Sequence, residues 1–306
     1  MDSDSVSPYK LIFKALTLIP ISHYLLISVF VSIVFVYNLL EFHILQDVFG
    51  GFGGGSVSLT FGSGSELYAE VVSKCSLLHG RYLATPWLSS PHLQTILLNA
   101  VVKTPKFMYK RELFRTSDGG TIALDWLMNS DETSFQVNGT STAADIPLLI
   151  LVPGLTSDQN SPYIKEIAYK MAKHGWNVVV SNHRGLGGVP LTSECFYTAG
   201  KSDDLGEVVN YLHRKQPETP LYALGTSLGA NILVKYLGED GVKVPLVGAV
   251  SISNPWDLLI GDRFYTRGLM QKFYNRVLGN SLKGAAKLYS TRKSMLAFQI
   301  GKELKR

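Results

Sequence analysis

The chain has 306 residues, of which 46% are hydrophobic, with 28 Gly and 13 Pro; this is the composition of a globular protein and excludes wholesale disorder. Its formal net charge of +5 is uneven, because residues 263–306 hold eleven Lys and Arg against a single acid, Glu303. Apolar residues interrupt this basic tail, which indicates helix faces and not a nucleic-acid-binding arm. Two cysteines, Cys75 and Cys195, are too few for a disulfide framework and have no metal-ligand spacing.

The amino-terminal part is apolar, since no charged side chain occurs between Lys14 and Glu41. Its second part, at about residues 21–40, would span roughly 30 Å as a helix, which predicts a single transmembrane helix. A buried core helix and a cleaved signal peptide are the alternatives, but no small-x-small cleavage site follows the segment. Lys10 and Lys14 precede it and acids follow it, so we expect an uncleaved signal anchor with a cytosolic amino end in a membrane of unidentified type.

Two further features follow this segment: a glycine-rich stretch and a glycosylation sequon in a polar loop. The sequence GGFGGGS, Gly50–Ser56, predicts a flexible linker. Asn138-Gly139-Thr140 is a glycosylation sequon, which agrees with a lumenal domain. The sequence predicts four parts: residues 1–49 with the transmembrane helix, 50–85 as linker and entry segment, 86–260 as the core domain, and 261–306 as the start of a basic helical cap.

From Lys110 onward, short strand-like runs alternate with longer helical runs, which predicts an α/β fold whose mostly parallel sheet is flanked by helices. The sequence SDGG, Ser117–Gly120, predicts a hairpin that makes the first two strands antiparallel. The predicted strands are Glu112–Arg115, Ile122–Leu127, Leu148–Val152, Asn177–Ser181, Leu221–Leu224 and Val247–Ile252. The predicted helices are Tyr163–His174, Asp203–Lys215 and Leu228–Leu237.

The pentapeptide Gly225–Gly229, with Ser227 at its centre, has the pattern Gly-x-Ser-x-Gly of a nucleophile elbow. The pattern alone arises often by chance, but here it follows an apolar strand and opens a helix. The two glycines would let neighbouring backbone approach the turn closely. The alternative is an ordinary glycine-rich turn between a strand and a helix.

An acyl-transfer site also needs hydrogen-bond donors for the developing oxyanion. In this architecture the residue after the nucleophile and the loop after the third strand supply them, which predicts the N–H groups of Leu228 and Leu155. The alternative interpretation of the second segment is a loop that ends in a helix cap, with Ser161 as the cap and Pro162 at the first helical position.

Together these segments resemble the α/β-hydrolase superfamily, and within it the membrane-anchored branch of abhydrolase domain-containing lipases and carboxylesterases, including plant embryogenesis-associated proteins. The resemblance implies a cofactor-independent ester hydrolase acting on acylglycerols, phospholipids or short acyl esters, with Ser227 as nucleophile. The segments that carry it are PWLSSPHLQT (86–95), ELFRTSDGGTIALDW (112–126), LVPGLTSDQNSPYI (151–164), NHRGLGG (182–188), YTAGKSDDL (197–205) and GTSLGAN (225–231).

The family also implies a triad in the chain order Ser, Asp, His, with the acid and the histidine after the seventh and eighth strands. All seven histidines of this chain precede Ser227. We therefore expect that the chain stops within the cap, that the sheet is incomplete after strand six, and that the Asp and His of the triad are not present.

Other groups could substitute for the missing histidine. His183, after the fourth strand, is the best alternative base, although a structural role beside Arg184 is the simpler interpretation. His92 belongs to a family segment and is expected to brace the structure, while Asp257 and Asp262 would need a histidine to orient.

The sequence therefore predicts a single-pass membrane-anchored serine hydrolase of carboxylic esters that needs no metal or organic cofactor. Its expected partners are a lipid or acyl-ester substrate and a membrane, with no nucleic acid. The alternatives are a non-catalytic membrane-tethered module and a thioesterase or acyltransferase on the same fold.

Overall fold

The computed structural model describes residues 8–39, 53–85, 88–101, 103–129 and 146–289. The chain forms two compact units, Met1–Ala100 with Arg267–Lys272, and Val101–Thr266 with Phe273–Arg306. The sequon at Asn138 lies outside the described residues, as do the first residues of the predicted linker. The four-part division predicted from the sequence stays a prediction.

The amino-terminal elements are mostly helical. Two short strands, β1 and β2, pair antiparallel, with Gly55 opposite Tyr82. The elements are α1 (Pro8–Leu18), α2 (Ile21–Leu39), β1 (Gly55–Ser56), α3 (Glu66–Glu70), the 3₁₀ turns Val72–Lys74 and Ser76–His79, β2 (Arg81–Tyr82) and α4 (Pro91–Val101).

Helix α2 lies where the transmembrane helix was predicted, but the span is not reproduced as one helix. Within the residues that the structure describes, no single helix is both long and apolar enough to cross a bilayer. Helices α1 and α2 reach that length and composition only together, and they are bent by 92° at the break between them. Pro20 lies at the break, where it lacks the N–H that a continuous helix would use. Membrane anchoring therefore stays a prediction.

The second unit is built on a six-stranded sheet whose order is β3-β4-β6-β5-β7-β8. The hairpin between β3 and β4 and the pairing of β4 with β6 are antiparallel, and the three other pairings are parallel. The predicted hairpin and the predicted mostly parallel sheet are thus confirmed. The strands are β3 (Lys110–Arg115), β4 (Thr121–Leu127), β5 (Leu148–Val152), β6 (Asn177–Ser181), β7 (Leu221–Thr226) and β8 (Gly248–Ile252).

Helices cover both faces of this sheet, as predicted. Side chains of β5 alternate between two cores: Leu148, Ile150 and Val152 pack with residues of α6 and α7, while Leu149 and Leu151 pack with α5. Because both faces are covered, β5 and β6 are buried along their whole length and read as continuous apolar runs. The helices that pack on the sheet are α5 (Pro162–Lys173), α6 (Asp203–Lys215) and α7 (Leu228–Asp240), while α8 (Leu258–Arg267) and α9 (Leu269–Tyr289) follow β8 in the chain.

Strand β8 forms one edge of the sheet in the described part of the chain. Its apolar side chains are poorly covered, with Val250 53% and Ile252 40% exposed. The expected sheet of six strands is confirmed, and its parallel arrangement brings the carboxyl ends of β5, β6 and β7 to the same edge.

Candidate active site

Ser227 lies in a strained turn between β7 and α7. Its backbone has φ 51° and ψ −118°, a conformation that residues other than glycine rarely adopt and that is typical of functional turns. The side chain is exposed, and within the described residues its hydroxyl has no hydrogen-bond partner. The turn is held by its backbone, since the Ser227 N–H donates to Ile252 O at 2.9 Å. This is the geometry that the Gly-x-Ser-x-Gly pattern predicts for a nucleophile elbow.

The flanking glycines allow the elbow to touch the backbone of the neighbouring strand. A Cβ atom on Gly229 would lie 2.3 Å from the carbonyl oxygen of Val152 and 2.4 Å from that of Pro153. A Cβ atom on Gly225 would lie 2.5 Å from the carbonyl oxygen of Gly229. No side chain fits at either position, so the first turn of α7 packs directly on the end of β5.

The loop that follows β5 lies beside the elbow. A Cβ atom on Gly154 would be only 3.2 Å from the Cβ of Ser227. Two amides of this loop are occupied: the Gly154 N–H donates to the Tyr163 hydroxyl at 3.0 Å, and the Thr156 N–H donates to the Tyr197 hydroxyl at 3.2 Å. Thr156 has a positive φ of 59°, so the loop turns sharply at this residue.

The two predicted oxyanion donors differ from these occupied amides. Among the described residues, neither the N–H of Leu155 nor that of Leu228 has a hydrogen-bond partner. Leu228 is the first residue of α7, where backbone N–H groups are unpaired within the helix and the helix dipole favours negative charge. Both groups are therefore available to an anionic oxygen, and their role as donors stays a prediction.

His183 is bound to the loop after β5 and not to Ser227. Its Nε2 donates to Pro153 O at 2.8 Å, and its ring is stacked on Tyr197 with centroids 4.6 Å apart. Burial lowers the pKa of the His183 imidazole, so the ring is neutral near pH 7. No hydrogen bond joins His183 to Ser227 in the part of the chain that the structure describes. These contacts favour the structural interpretation, and the role of base stays a prediction.

Of the two acids after β8, Asp257 has a local partner. Asp257 accepts the N–H of Ile260 at 2.9 Å and thereby caps the start of α8. Asp257 and Asp262 belong to the segment that follows the sheet edge, and no histidine contacts Asp257 among the described residues. His92 lies on α4 and is half-buried.

A buried arginine network, which the sequence did not reveal, supports the loop after β6. Arg184 pairs with Asp204 at 2.5 Å and with Asp118 at 2.5 Å, and its side chain is only 5% exposed. The Arg184 guanidinium beside Asp118 holds the pKa of that carboxyl well below its usual range. Asp204 lies in the first turn of α6, and nothing in the local sequence indicates a partner 20 residues away.

A second buried network holds the other end of the loop after β5. Asp125 is 1% exposed and accepts two hydrogen bonds from Arg111 and one from Asn182. Asn182 in turn accepts the N–H of Gln159 at 3.0 Å. Strand β4, the loop after β6 and the loop beside Ser227 are therefore connected through buried polar side chains.

Comparison with known proteins agrees with this geometry. The protein family described as the α/β hydrolase fold matches residues 147–299, half of the chain. Embryogenesis-associated protein EMB8 of Picea glauca is 38% identical over 70% of this chain and 47% of its own length. Phospholipase ABHD3 of Homo sapiens is 30% identical over 73% of this chain and 54% of its own length. Monoacylglycerol lipase ABHD2 of Mus musculus is 29% identical over 72% of this chain and 51% of its own length. The chain thus spans about half the length of the curated relatives that it matches.

Proposed function

Because the chain belongs to the α/β-hydrolase fold family, we propose that it is a serine hydrolase of carboxylic esters in which Ser227 is the nucleophile. The observation that carries the proposal is the exposed hydroxyl of Ser227 at φ 51°, beside a loop whose Leu155 N–H is unpaired. An elbow of this kind holds the serine away from its own helix and towards an incoming ester.

The reaction proposed for this site is acyl transfer through a covalent intermediate. The Ser227 Oγ attacks the ester carbonyl carbon, and the carbonyl electrons move onto the oxygen, which the N–H groups of Leu155 and Leu228 stabilise as an oxyanion. Collapse of this intermediate expels the alcohol, which takes up the proton that the base removed from Ser227, and leaves an acyl-serine that water then hydrolyses. The proton of Ser227 needs a base, and the family resemblance implies a histidine oriented by an aspartate.

The substrates that we propose are acylglycerols, phospholipids or short-chain acyl esters. The names of two relatives, a phospholipase and a monoacylglycerol lipase, support this class. We further propose that the apolar helices α1 and α2 anchor the protein in a membrane, where such substrates partition. A cytosolic amino end is part of this proposal, supported by Lys10 and Lys14 before the uncharged segment.

The test of the nucleophile is covalent labelling with a fluorophosphonate probe followed by peptide mass spectrometry. We expect a single adduct, on Ser227, that is lost in the variant Ser227→Ala. Ser253 is a matched control, because it is also exposed and also has a positive φ, of 52°. Labelling that survives Ser227→Ala or that disappears in Ser253→Ala would contradict the assignment.

A second candidate function is a non-catalytic membrane-tethered module. The observation that favours it is the hydrogen bond of His183 Nε2 to Pro153 O, which, among the described residues, leaves His183 without a hydrogen bond to Ser227. The 306-residue polypeptide would then hydrolyse p-nitrophenyl esters no faster than its Ser227→Ala variant. A Ser227-dependent turnover above about 1 s⁻¹, within the ordinary range of enzymes, would exclude this candidate, and His183 would be the next residue to substitute.

A further inference from the structure

Three aromatic side chains from other parts of the chain hold the backbone of residues 153–156. His183, from the loop after β6, donates to the carbonyl oxygen of Pro153 at 2.8 Å. Tyr163, in the first turn of α5, accepts the N–H of Gly154 at 3.0 Å. Tyr197, in the loop before α6, accepts the N–H of Thr156 at 3.2 Å and is stacked on the His183 ring. Each contact fixes one peptide group of the loop.

The two tyrosines occupy the loop amides on either side of Leu155. The N–H groups of Gly154 and Thr156 are both occupied by phenolic oxygens, whereas in the described chain the N–H of Leu155, between them, has no partner. We propose that Tyr163 and Tyr197 are positioning residues that bind the amides on either side of Leu155 and so leave the Leu155 N–H as the amide that this loop segment presents to the oxyanion. This inference rests on the proposed function.

Tyr163 also connects the loop to the elbow. The hydroxyl of Thr226, the residue before Ser227, lies 3.3 Å from the Tyr163 hydroxyl and donates to it. The same phenolic oxygen therefore contacts the loop at Gly154 and the elbow at Thr226. A Cβ atom on Gly154 would lie only 3.2 Å from the Ser227 Cβ, so the loop and the elbow are in direct contact at this point. The donor and the nucleophile are thus held in one fixed arrangement.

A fixed arrangement matters because an oxyanion donor acts through preorganisation. The donor must already lie at hydrogen-bond distance from the place where negative charge develops, and a displacement of about 1 Å can cost about 100-fold in rate. Removal of either phenolic hydroxyl frees an amide and loosens the loop without removing the Leu155 N–H. We therefore expect a smaller effect than loss of the donor itself, about 10- to 100-fold in the rate of the chemical step.

The first experiment measures the chemistry. The full chain and its Tyr163→Phe and Tyr197→Phe variants are treated with a fluorophosphonate probe, and the maximal rate of labelling and the half-saturating probe concentration are determined separately. We expect the maximal labelling rate to fall about 10- to 100-fold, because formation of the adduct with Ser227 uses the oxyanion site. The half-saturating probe concentration should change little, because the initial binding of the probe does not use that site. Tyr222→Phe is the matched control, since Tyr222 lies on β7 and packs against Trp176, away from the loop. Its labelling should be unchanged.

The second experiment measures the contacts without using reactivity. Residue-resolved hydrogen exchange should show faster exchange of the Gly154 amide in Tyr163→Phe and of the Thr156 amide in Tyr197→Phe, with protection of β5 and β7 retained. An unchanged maximal labelling rate in both variants would overturn the proposal. So would a loss of protection throughout β5 and β7, because the tyrosines would then serve overall stability. If the unsubstituted chain does not label at all, the proposed function fails. In that case the hydrogen exchange decides on the two tyrosine contacts. Faster exchange confined to the Gly154 and Thr156 amides supports the contacts, and unchanged exchange of these amides overturns them.

Discussion

Replacement of Gly229 by alanine tests the close packing of the elbow on β5. The new methyl group would lie 2.3 Å and 2.4 Å from two backbone carbonyl oxygens, those of Val152 and Pro153. Contacts below about 3.0 Å are not tolerated, so α7 and the end of β5 must separate by about 1 Å. Backbone cannot rotate away as a side chain can, and we place the destabilisation at the upper end of the range for overpacked cores, about 3 kcal/mol.

Gly238 supplies the matched control for this substitution. It lies on the same helix, α7, and nothing lies within 4 Å of the position that its Cβ would occupy. Gly238→Ala should therefore stabilise the protein by about 0.5–1 kcal/mol, the ordinary gain of alanine over glycine in a helix. Urea unfolding of both variants gives the free energies, and fluorophosphonate labelling gives the state of Ser227. Equal stability and equal labelling of the two variants would refute the close contact between elbow and strand.

Three further predictions follow from the charges, the buried histidine and the amino-terminal helices. Asp204→Asn should destabilise the protein by about 2 kcal/mol, because the buried Arg184 loses one of its carboxylate partners, which is itself partly solvated. Urea unfolding measures this loss, with Asp203→Asn, an exposed first-turn acid of the same helix, as the control. Equal losses of stability in the two variants would contradict the prediction. Because burial lowers the pKa of His183 in the folded protein, the imidazole takes up a proton more readily in the unfolded chain. The free energy of unfolding should therefore decline as the pH falls below about 6.5, the ordinary pKa of histidine, towards the lower pKa of the folded state. His183→Gln should reduce that decline in pH-dependent thermal unfolding, and an identical pH profile would show that other groups cause it. Finally, the intact chain should stay with membranes during carbonate extraction because residues 15–40 carry no charge; recovery in the soluble fraction would exclude the anchor.

Elements that are marked by neighbouring residues, such as apolar runs, turn residues and glycines, could be predicted from the sequence. Strands β5 and β6 are short apolar runs between turn residues, and their predicted bounds, Leu148–Val152 and Asn177–Ser181, agree with the structure. The strained serine at position 227 follows from its flanking glycines. Local signals also have limits: Ser161 precedes α5 as expected, but its hydroxyl accepts the N–H of Asp158 and not a helix N–H.

The contacts that organise the site could not be predicted, because they join residues that are distant in sequence. Tyr197 lies 41 residues from the amide that it binds, and the carbonyl that His183 binds is 30 residues away. Arg184 and Asp118 are separated by 66 residues. None of these pairs has a periodicity or spacing that a single sequence displays. Only the folded sheet, which aligns the ends of β5 and β6, brings them together.

The pairing of Leu148 with Leu221 has a consequence for the order in which the chain folds. Bringing these positions together closes a long loop, at an entropic cost of about 4 kcal/mol by the logarithmic rule, before contacts between the two strands offset it. Strand β6 comes between them in sequence but lies on the opposite side of β5. Parallel pairings over such separations form slowly, so we expect the loop beside Ser227 and the elbow to meet late. A newly synthesised chain would then pass through a period in which most of its sheet exists but its reactive serine has not yet acquired its neighbours.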